Sequence, residues 1–264
     1  MNILQQIFET KREEVADAKR RVTLSDLKSQ ISEMAATKGF LAALEEGRKD
    51  DLSLIAEVKA ASPSAGDIRP DIDPERVAIA YEEAGVHALS VLTDERFFKG
   101  SKKNLEAARR ISNLPILRKD FLEVEYQIYE ARAWGADAVL LITAFLEISQ
   151  LADLQALAAE LGLDSLVEIH DERELDKAME VSARLIGINN RNLVDFQTDI
   201  AVSERLLPKL PKEAFGVSES ALKTRKDLER VKVAGAKGVL IGTTFCEAED
   251  IGAKVREVMG WASE

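Results

Sequence analysis

The chain has 264 residues, of which 46% are hydrophobic and 31% charged. This composition is typical of a globular protein and excludes a disordered chain, a collagen-like chain and a disulfide scaffold. The net charge of −11 disfavours nucleic acid or an anionic membrane as partner, because contact with phosphate backbones needs a basic face. No apolar run reaches the roughly 18 residues that a membrane span needs. We find no signal peptide pattern and a single cysteine, Cys246, so we expect a cytoplasmic protein without an internal disulfide.

The first 50 residues contain three predicted helices. The segment ILQQIFETKREEVADAKRR is amphipathic, and LSDLKSQISEM and GFLAALEEG also have helical character. We expect residues 1–50 to be a helical extension that forms one domain with residues 51–264. The extension either closes the bottom of the following barrel or covers its substrate site as a lid, and the sequence favours neither interpretation.

From about residue 52 onward one unit recurs, in which a helix ends at glycine and a short apolar strand follows. Glycine is favoured at this point because a helix commonly ends in the left-handed conformation. The strands are continuously apolar, as in parallel sheets that are buried on both faces. The four helix-ending glycines are Gly85, Gly135, Gly162 and Gly235. The eight predicted strands are Leu52–Lys59, Ala88–Thr93, Ile116–Lys119, Ala138–Thr143, Ser165–Ile169, Leu185–Asn189, Ala214–Val217 and Gly238–Gly242.

Eight strand–helix units in about 200 residues predict an α/β fold, the (β/α)8 or TIM barrel, behind the N-terminal helical extension. The alternative is a doubly wound parallel sheet. That fold would usually have fewer strands and a glycine-rich loop after the first one, and the chain has no G-x-G-x-x-G motif.

Charged and polar side chains collect at the carboxyl ends of the predicted strands, where a parallel barrel has its active site. Any one of them is more often a paired or capping residue. Together they are accommodated if they face one polar cavity, because an unpaired buried charge is costly. Such crowding shifts pKa values and suits acid–base chemistry by lysine and glutamate. The residues are Glu57, Lys59, Lys119, Glu168, Asn189, Arg191, Glu219 and Ser220.

The loops after the last two strands predict a phosphate site. They carry SES (218–220) and IGTT (241–244), whose small residues allow backbone N–H groups to approach an anion. Ser62 and Ser64 in the first loop would add hydroxyl donors. Of the two histidines, we expect His87 to be structural, while His170 could be a base; their number and spacing predict no metal site.

Eight short motifs occur in order at these strand ends. They are IAEVKAASPS, SVLTDERFFKGS, PILRKDF, GADAVLLI, LVEIHD, IGINNRNL, VSES and VLIG. On these motifs the chain resembles the indole-3-glycerol phosphate synthase family, over about residues 50 to 245. The helical N-terminal extension also fits the family.

The resemblance implies a lyase of tryptophan biosynthesis that needs no cofactor and no metal. Its substrate would be 1-(2-carboxyphenylamino)-1-deoxyribulose 5-phosphate, which is cyclised, decarboxylated and dehydrated to indole-3-glycerol phosphate. Lys119 corresponds to the family's general acid for ring closure and Glu168 to its carboxylate for dehydration. Glu57 and Lys59 correspond to a further proton-transfer pair whose order of action stays open.

The resemblance also implies the remaining site residues and the partners. Three further polar positions of the site correspond to Asn189, Glu219 and Ser220. The phosphate site corresponds to Ser62, Arg191, Gly242 and Thr243, and the apolar pocket for the anthranilate ring corresponds to Phe98, Phe121, Leu140 and Leu193. We expect a monomer that binds a small phosphorylated anion, and leave open contact with other tryptophan-pathway enzymes.

The chain departs from the family pattern at two positions in the substrate loops. Ala65 stands where the family usually has lysine, which removes a cation. Ala221 stands where the family usually has glycine, so a methyl group enters the phosphate loop and a left-handed dihedral would be strained. Two alternatives remain: a related barrel enzyme such as phosphoribosylanthranilate isomerase, and a barrel that binds the ligand without turnover. The isomerase is disfavoured because strand one offers Glu57 and Lys59 and no cysteine.

Overall fold

The structure is a computed structural model that describes residues 3–48, 52–62, 66–69, 72–192 and 196–262. In this part of the chain, eight parallel strands form a closed barrel in chain order, and the last strand pairs with the first. The predicted TIM barrel is therefore confirmed, and the doubly wound sheet is wrong. The strands are β1 Ser53–Val58, β2 Ala88–Leu92, β3 Ile116–Lys119, β4 Ala138–Ile142, β5 Asp164–Ile169, β6 Leu185–Asn189, β7 Phe215–Glu219 and β8 Gly238–Ile241.

Each barrel strand is followed by a helix, and three helices precede the barrel. A short hairpin, Ala61–Ser62 with Gly66–Asp67, lies in the loop after β1. A 3-10 turn at Leu207–Lys209 extends α9. The helices are α1 Ile3–Arg21, α2 Leu24–Ser32, α3 Phe40–Arg48, α4 Pro74–Glu83, α5 Lys102–Ile111, α6 Glu125–Ala133, α7 Ile148–Glu160, α8 Glu172–Glu180, α9 Ala201–Leu206, α10 Arg225–Ala234, α11 Thr243–Cys246 and α12 Ile251–Met259.

Local sequence explains where these elements begin and end. Thr224 accepts a hydrogen bond from the N–H of Asp227 and forms a capping box at the start of α10. The four glycines expected to follow helices all have positive φ, between +76° at Gly162 and +108° at Gly235. Several strand ends differ from the prediction by one residue, and β7 differs most, because it extends two residues further, to Glu219. Its backbone continues to pair with Asn189 of β6.

Alternation along the strands divides the core into two layers. Leu54, Ala56 and Val58 of β1 point outward and pack with the surrounding helices. Ile55 points inward and packs in the barrel lumen. Glu57 has the same parity as Ile55, so its side chain also enters the lumen, at the carboxyl end of β1.

The N-terminal extension reaches both ends of the barrel, so different parts of it lie where the two interpretations place them. At the bottom, the backbone N–H groups of Lys38 and Leu41 donate to Asp137 and Asp164, 2.7 and 2.8 Å away, at the starts of β4 and β5. Phe40 is fully buried in the lumen beside them. At the top, Ile7 of α1 lines the cavity described below.

Candidate active site at the carboxyl ends of the strands

A cavity of about 420 Å³ opens at the carboxyl ends of the strands. Of the fifteen residues predicted for the site, thirteen line it. The side chain of Ser62 and all of Leu193 lie outside the described part of the chain. The thirteen are Glu57, Lys59, Phe98, Lys119, Phe121, Leu140, Glu168, Asn189, Arg191, Glu219, Ser220, Gly242 and Thr243. The structure thus brings them together, and the chemical role of each stays a prediction.

Lys119 lies at the centre of the site between two carboxylates. Its Nζ is 3.0 Å from Glu168 Oε2 and 2.5 Å from Glu219 Oε2, and all three side chains are largely buried. Burial alone would lower the pKa of Lys119, but the charges of Glu168, Glu219 and Glu57 raise it above its usual value. The lysine is therefore charged at neutral pH.

Glu219 differs from an ordinary carboxylate. Burial raises its pKa to about 7, against the opposing effect of Lys119 and with the help of the nearby charge of Glu168. Its Oε1 atom has no hydrogen-bond partner among the described residues. This oxygen lies against Gly187 of β6, where a Cβ atom would collide with it. Near neutral pH Glu219 can therefore either give or take a proton.

Glu168 stays ionised although it is just as buried. Burial alone would raise its pKa, but Lys119, then His170, and a hydrogen bond with Asn189 lower it below the usual value. Two buried glutamates on neighbouring sides of one lysine thus have pKa values shifted in opposite directions. That separation is what a site needs to hold a base and an acid at the same pH.

A second ion pair lies at the end of β1. Lys59 Nζ is 2.6 Å from Glu57 Oε1 and 5.9 Å from the centre of the Phe98 ring. The expectation that Glu57 and Lys59 point the same way is confirmed. Gly242 leaves room for this pair, because a Cβ atom there would be 2.6 Å from Glu57 Oε1.

The loop after β7 bends through two residues in the left-handed region. Ser220 and Ala221 have φ of 64° and 59°. The dihedral strain expected at Ala221 is therefore present, because an L side chain occupies a conformation that favours glycine. Asn190 holds the bend in place by donating to the carbonyl oxygen of Ser220 at 3.2 Å. Lys223, further along the same loop, also lines the cavity.

The opposite wall of the cavity is apolar and is covered by α1. Phe8 stacks on Phe145 with ring centres 4.1 Å apart and meets Phe121 edge to face. Phe98 and Leu140 complete this wall. A flat aromatic group would be desolvated here, while charged groups would lie toward the lysines and the loops.

A buried lysine fastens α1 to the barrel. Lys11 Nζ is 2.8 Å from Asp94 Oδ2 and 3.0 Å from Asp120 Oδ1, in the loops after β2 and β3. Glu14 of the same helix adds a third carboxylate at 2.8 Å. Burial alone would lower the pKa of Lys11, but Asp120 and Asp94 raise it.

Several contributors to the site were missed by sequence reasoning. Ile7, Phe196, Lys223 and Glu247 also line the cavity. The spacing of Ile7 and Lys11 puts them on one helix face, but periodicity does not identify what that face contacts. A glycine inside a strand indicates close approach by another group, a signal that would have identified Gly187.

The fold and the site define an enzyme of the (β/α)8-barrel class with its charged centre at the carboxyl ends of the strands. A model of the indole-3-glycerol phosphate synthase family matches residues 4–258. The chain belongs to the indole-3-glycerol phosphate synthase family, whose members are carboxy-lyases of tryptophan biosynthesis.

Relatives agree with this assignment, and a solved structure shares the fold. The chain is 46% identical to the indole-3-glycerol phosphate synthase of Neisseria gonorrhoeae over 255 residues, covering 96% of this chain and 98% of that one. It is 51% identical to the enzyme of Chlorobium luteolum over 244 residues, covering 92% of each chain. A tryptophan synthase α-subunit from Pyrococcus furiosus superposes with a TM-score of 0.61 at 16% identity, over 80% of this chain and 98% of that one, and shares the fold.

None of the helices in the described residues is long and apolar enough to span a membrane.

Proposed function

We propose that this chain converts 1-(2-carboxyphenylamino)-1-deoxyribulose 5-phosphate to indole-3-glycerol phosphate, carbon dioxide and water by general acid–base catalysis with lysine and glutamate. The observation that carries the proposal is the position of Lys119 between Glu168 and Glu219, in a cavity with an apolar wall and a cationic wall. Membership of the family supplies the substrate.

In the first step, the ring carbon that bears the carboxylate attacks the ketone carbon of the sugar chain. A carbon–carbon bond forms, and the carbonyl oxygen takes a proton. Lys119 is the acid we propose for this step, because its neighbouring carboxylates keep it charged until an oxygen anion develops beside it. The carboxylate then leaves as carbon dioxide, and its bonding electrons restore the aromatic ring.

In the second step, the hydroxyl group left by ring closure departs as water. It needs one proton from an acid, and the adjacent ring carbon must lose one proton to a base. Glu168 is ionised and belongs to this step in the proposal, while Glu57 and Lys59 form the second proton-transfer pair at 2.6 Å. Lys119 with Glu168 and Glu57 with Lys59 are then two acid–base pairs at the ends of different strands, so the two protons can move at different positions in the site.

The two walls of the cavity would orient the substrate. Phe98, Phe121 and Leu140 form the apolar wall, which suits the carboxyphenyl ring. Arg191, Lys223 and the loops at Ser220 and Gly242 line the other side, which suits the phosphate group. Burial lowers the pKa of Arg191, but a guanidinium remains charged at neutral pH and can pair with phosphate.

The experiment is a turnover assay that follows indole fluorescence when the purified protein is mixed with the substrate. Lys119→Gln should lower kcat at least about a hundredfold, since it removes the acid and retains a polar side chain of similar length. Binding of indole-3-glycerol phosphate to the variant shows that the barrel is still folded. Lys38→Gln is the matched control, because Lys38 lies at the opposite end of the barrel. Saturable binding without turnover by the unmodified protein would leave the pocket assignment standing and refute the catalytic one.

A further inference from the structure

His170 is a buried titratable group that the proposed reaction does not use. It follows Glu168 by two residues, so the two side chains leave the end of β5 on the same side. His170 Nε2 lies 3.4 Å from Glu168 Oε1, the carboxylate oxygen that does not contact Lys119. Within the described chain His170 does not line the cavity, and its side chain is 15% exposed. The ring therefore contacts Glu168 without lining the space where substrate would bind.

Glu174 in the first turn of α8 holds the ring from the other side. Its Oε2 atom is 3.0 Å from His170 Nδ1 and accepts the backbone N–H of His170 at 2.8 Å. The same oxygen lies 3.1 Å from the hydroxyl of Thr143. A carboxylate with three neighbouring donors is fixed, and a hydrogen on Nδ1 facing it fixes the ring. Nε2 is then the ring nitrogen that is free to change its protonation state.

The charge on Nε2 decides whether this contact with Glu168 is attractive. A protonated Nε2 faces the Glu168 carboxylate as N–H, and the contact is an ion pair. A neutral ring with its hydrogen on Nδ1 faces the same carboxylate with a lone pair, and the contact is repulsive. Nε2 has no hydrogen-bond partner among the described residues, so nothing else in that part of the chain competes for its proton.

We propose that His170 is a positioning residue that, held by Glu174, fixes the Glu168 oxygen that does not contact Lys119 and keeps that carboxylate charged for turnover. The inference rests on the proposed function, because it concerns the carboxylate assigned to the dehydration step. It extends the site to a relay of three residues, Glu174, His170 and Glu168, of which only the last reaches the cavity.

The charged neighbours of His170 set the direction of its pH dependence. Burial alone would lower the pKa of His170, but Glu174 of α8, Glu168 of β5 and Glu219 of β7 raise it above the usual value. Lys119 of β3 reaches the ring only through the Glu168 carboxylate that both contact. Because the pKa is raised, the ion pair is complete at slightly acid pH and is lost as pH rises through that pKa.

The first test is an NMR titration of the ring signals, which needs no turnover. The chain has only two histidines, and burial lowers the pKa of the other one, His87. We expect one ring to titrate above 6.5 and one below, with His87→Asn identifying the signals. Glu174→Gln and Glu168→Gln should each lower the pKa of His170 and leave that of His87 unchanged. An unchanged pKa of His170 in Glu168→Gln would overturn the proposal.

The second test is the pH profile of turnover. In the unmodified protein kcat should fall as pH rises through the pKa of His170. His170→Asn should have a kcat about three- to tenfold lower at pH 6.5, the scale of one lost charge-assisted contact. Its profile should lack that fall, and its KM should stay within about twofold because His170 does not line the cavity. The backbone N–H of residue 170 still bonds Glu174, so the variant keeps its loop. His87→Asn should keep the full profile.

The outcomes separate this inference from the proposed function. A titration that couples His170 to Glu168, together with an unaltered kcat profile in His170→Asn, would refute the positioning role and leave the proposed function standing. Absence of turnover in the unmodified protein would refute the proposed function, whatever the titration shows. Coupling together with a flattened profile would support the relay.

Discussion

Two glycines make room for the charged side chains at the centre of the site. Gly187 in β6 lies against Glu219 Oε1, and Gly242 after β8 lies against Glu57. Neither glycine has a positive φ, so backbone conformation does not require them. They are required for steric reasons, because a methyl group at either position would occupy the space of a carboxylate of the candidate active site. The strands can therefore carry buried carboxylates only because their neighbours lack a side chain.

Replacing Gly187 by alanine tests this steric role. Gly187→Ala should displace the Glu219 carboxylate from Lys119 and lower kcat by about tenfold or more, since small misplacements in a site are costly. Gly252→Ala in α12 is the matched control, because its Cβ would meet no atom nearer than 3.6 Å. The control should keep full activity and gain about 0.5–1 kcal/mol in free energy of unfolding. Equal kcat in Gly187→Ala and the unmodified protein would show that Glu219 tolerates displacement.

The N-terminal helix α1 contributes to the site although it lies outside the barrel strands. Its apolar face supplies Ile7 and Phe8, and Lys11 inserts between Asp94 and Asp120. Asp120 also pairs with Arg118 at 3.0 Å, and these cations lower its pKa to about 2 despite burial. The ammonium group of Lys11 is thus the connection between the covering helix and the strand that carries Lys119.

Removal of that ammonium group should loosen the cover of the cavity. Lys11→Met keeps the length and leaves two buried carboxylates without their shared cation, which costs about 3–5 kcal/mol in an interior site. We expect α1 to separate from the barrel mouth, so that KM rises about tenfold and backbone amides of α1 exchange faster with solvent. Lys19→Met on the exposed face of α1 should change neither quantity. An unchanged KM in Lys11→Met would mean that α1 does not hold substrate.

The elements differ in how far the sequence predicts them. The barrel strands are predictable because both of their faces are buried, which leaves short apolar runs that end in polar residues. Glu57 and Lys59 are predictable as a pair because their spacing of two fixes them on one side of a strand. The placement of α1 is not predictable, because an amphipathic pattern identifies a buried face and not the surface that buries it. Lys11 in particular is a residue type that is almost never fully buried unless it is paired.

At the scale of the whole molecule, different parts of the N-terminal extension close the two ends of the barrel. Its first helix covers the carboxyl ends of the strands, and residues 38 to 48 close the amino ends. The bottom closure consists of backbone N–H groups donating to Asp137 and Asp164, a hydrogen bond from Ser53 to the carbonyl oxygen of Leu44, and the buried ring of Phe40. None of these groups lines the described cavity, so we expect them to contribute to stability and not to chemistry.

Two phenylalanine variants at opposite ends of the barrel test this separation. Phe40→Ala should cost about 3–5 kcal/mol in free energy of unfolding, because the ring is fully buried and leaves a cavity in the lumen. At temperatures where the variant stays folded, its kcat and KM should lie within about twofold of the original values.

Phe98→Ala should affect substrate binding more than stability. The Phe98 ring is only partly buried and lines the candidate active-site cavity, so KM should rise by about tenfold, with a stability loss near 1 kcal/mol. Denaturant unfolding and steady-state kinetics on the same preparations measure both quantities. Loss of turnover in folded Phe40→Ala would show that the bottom closure transmits strain to the strand ends, and stability and chemistry would then not be separable.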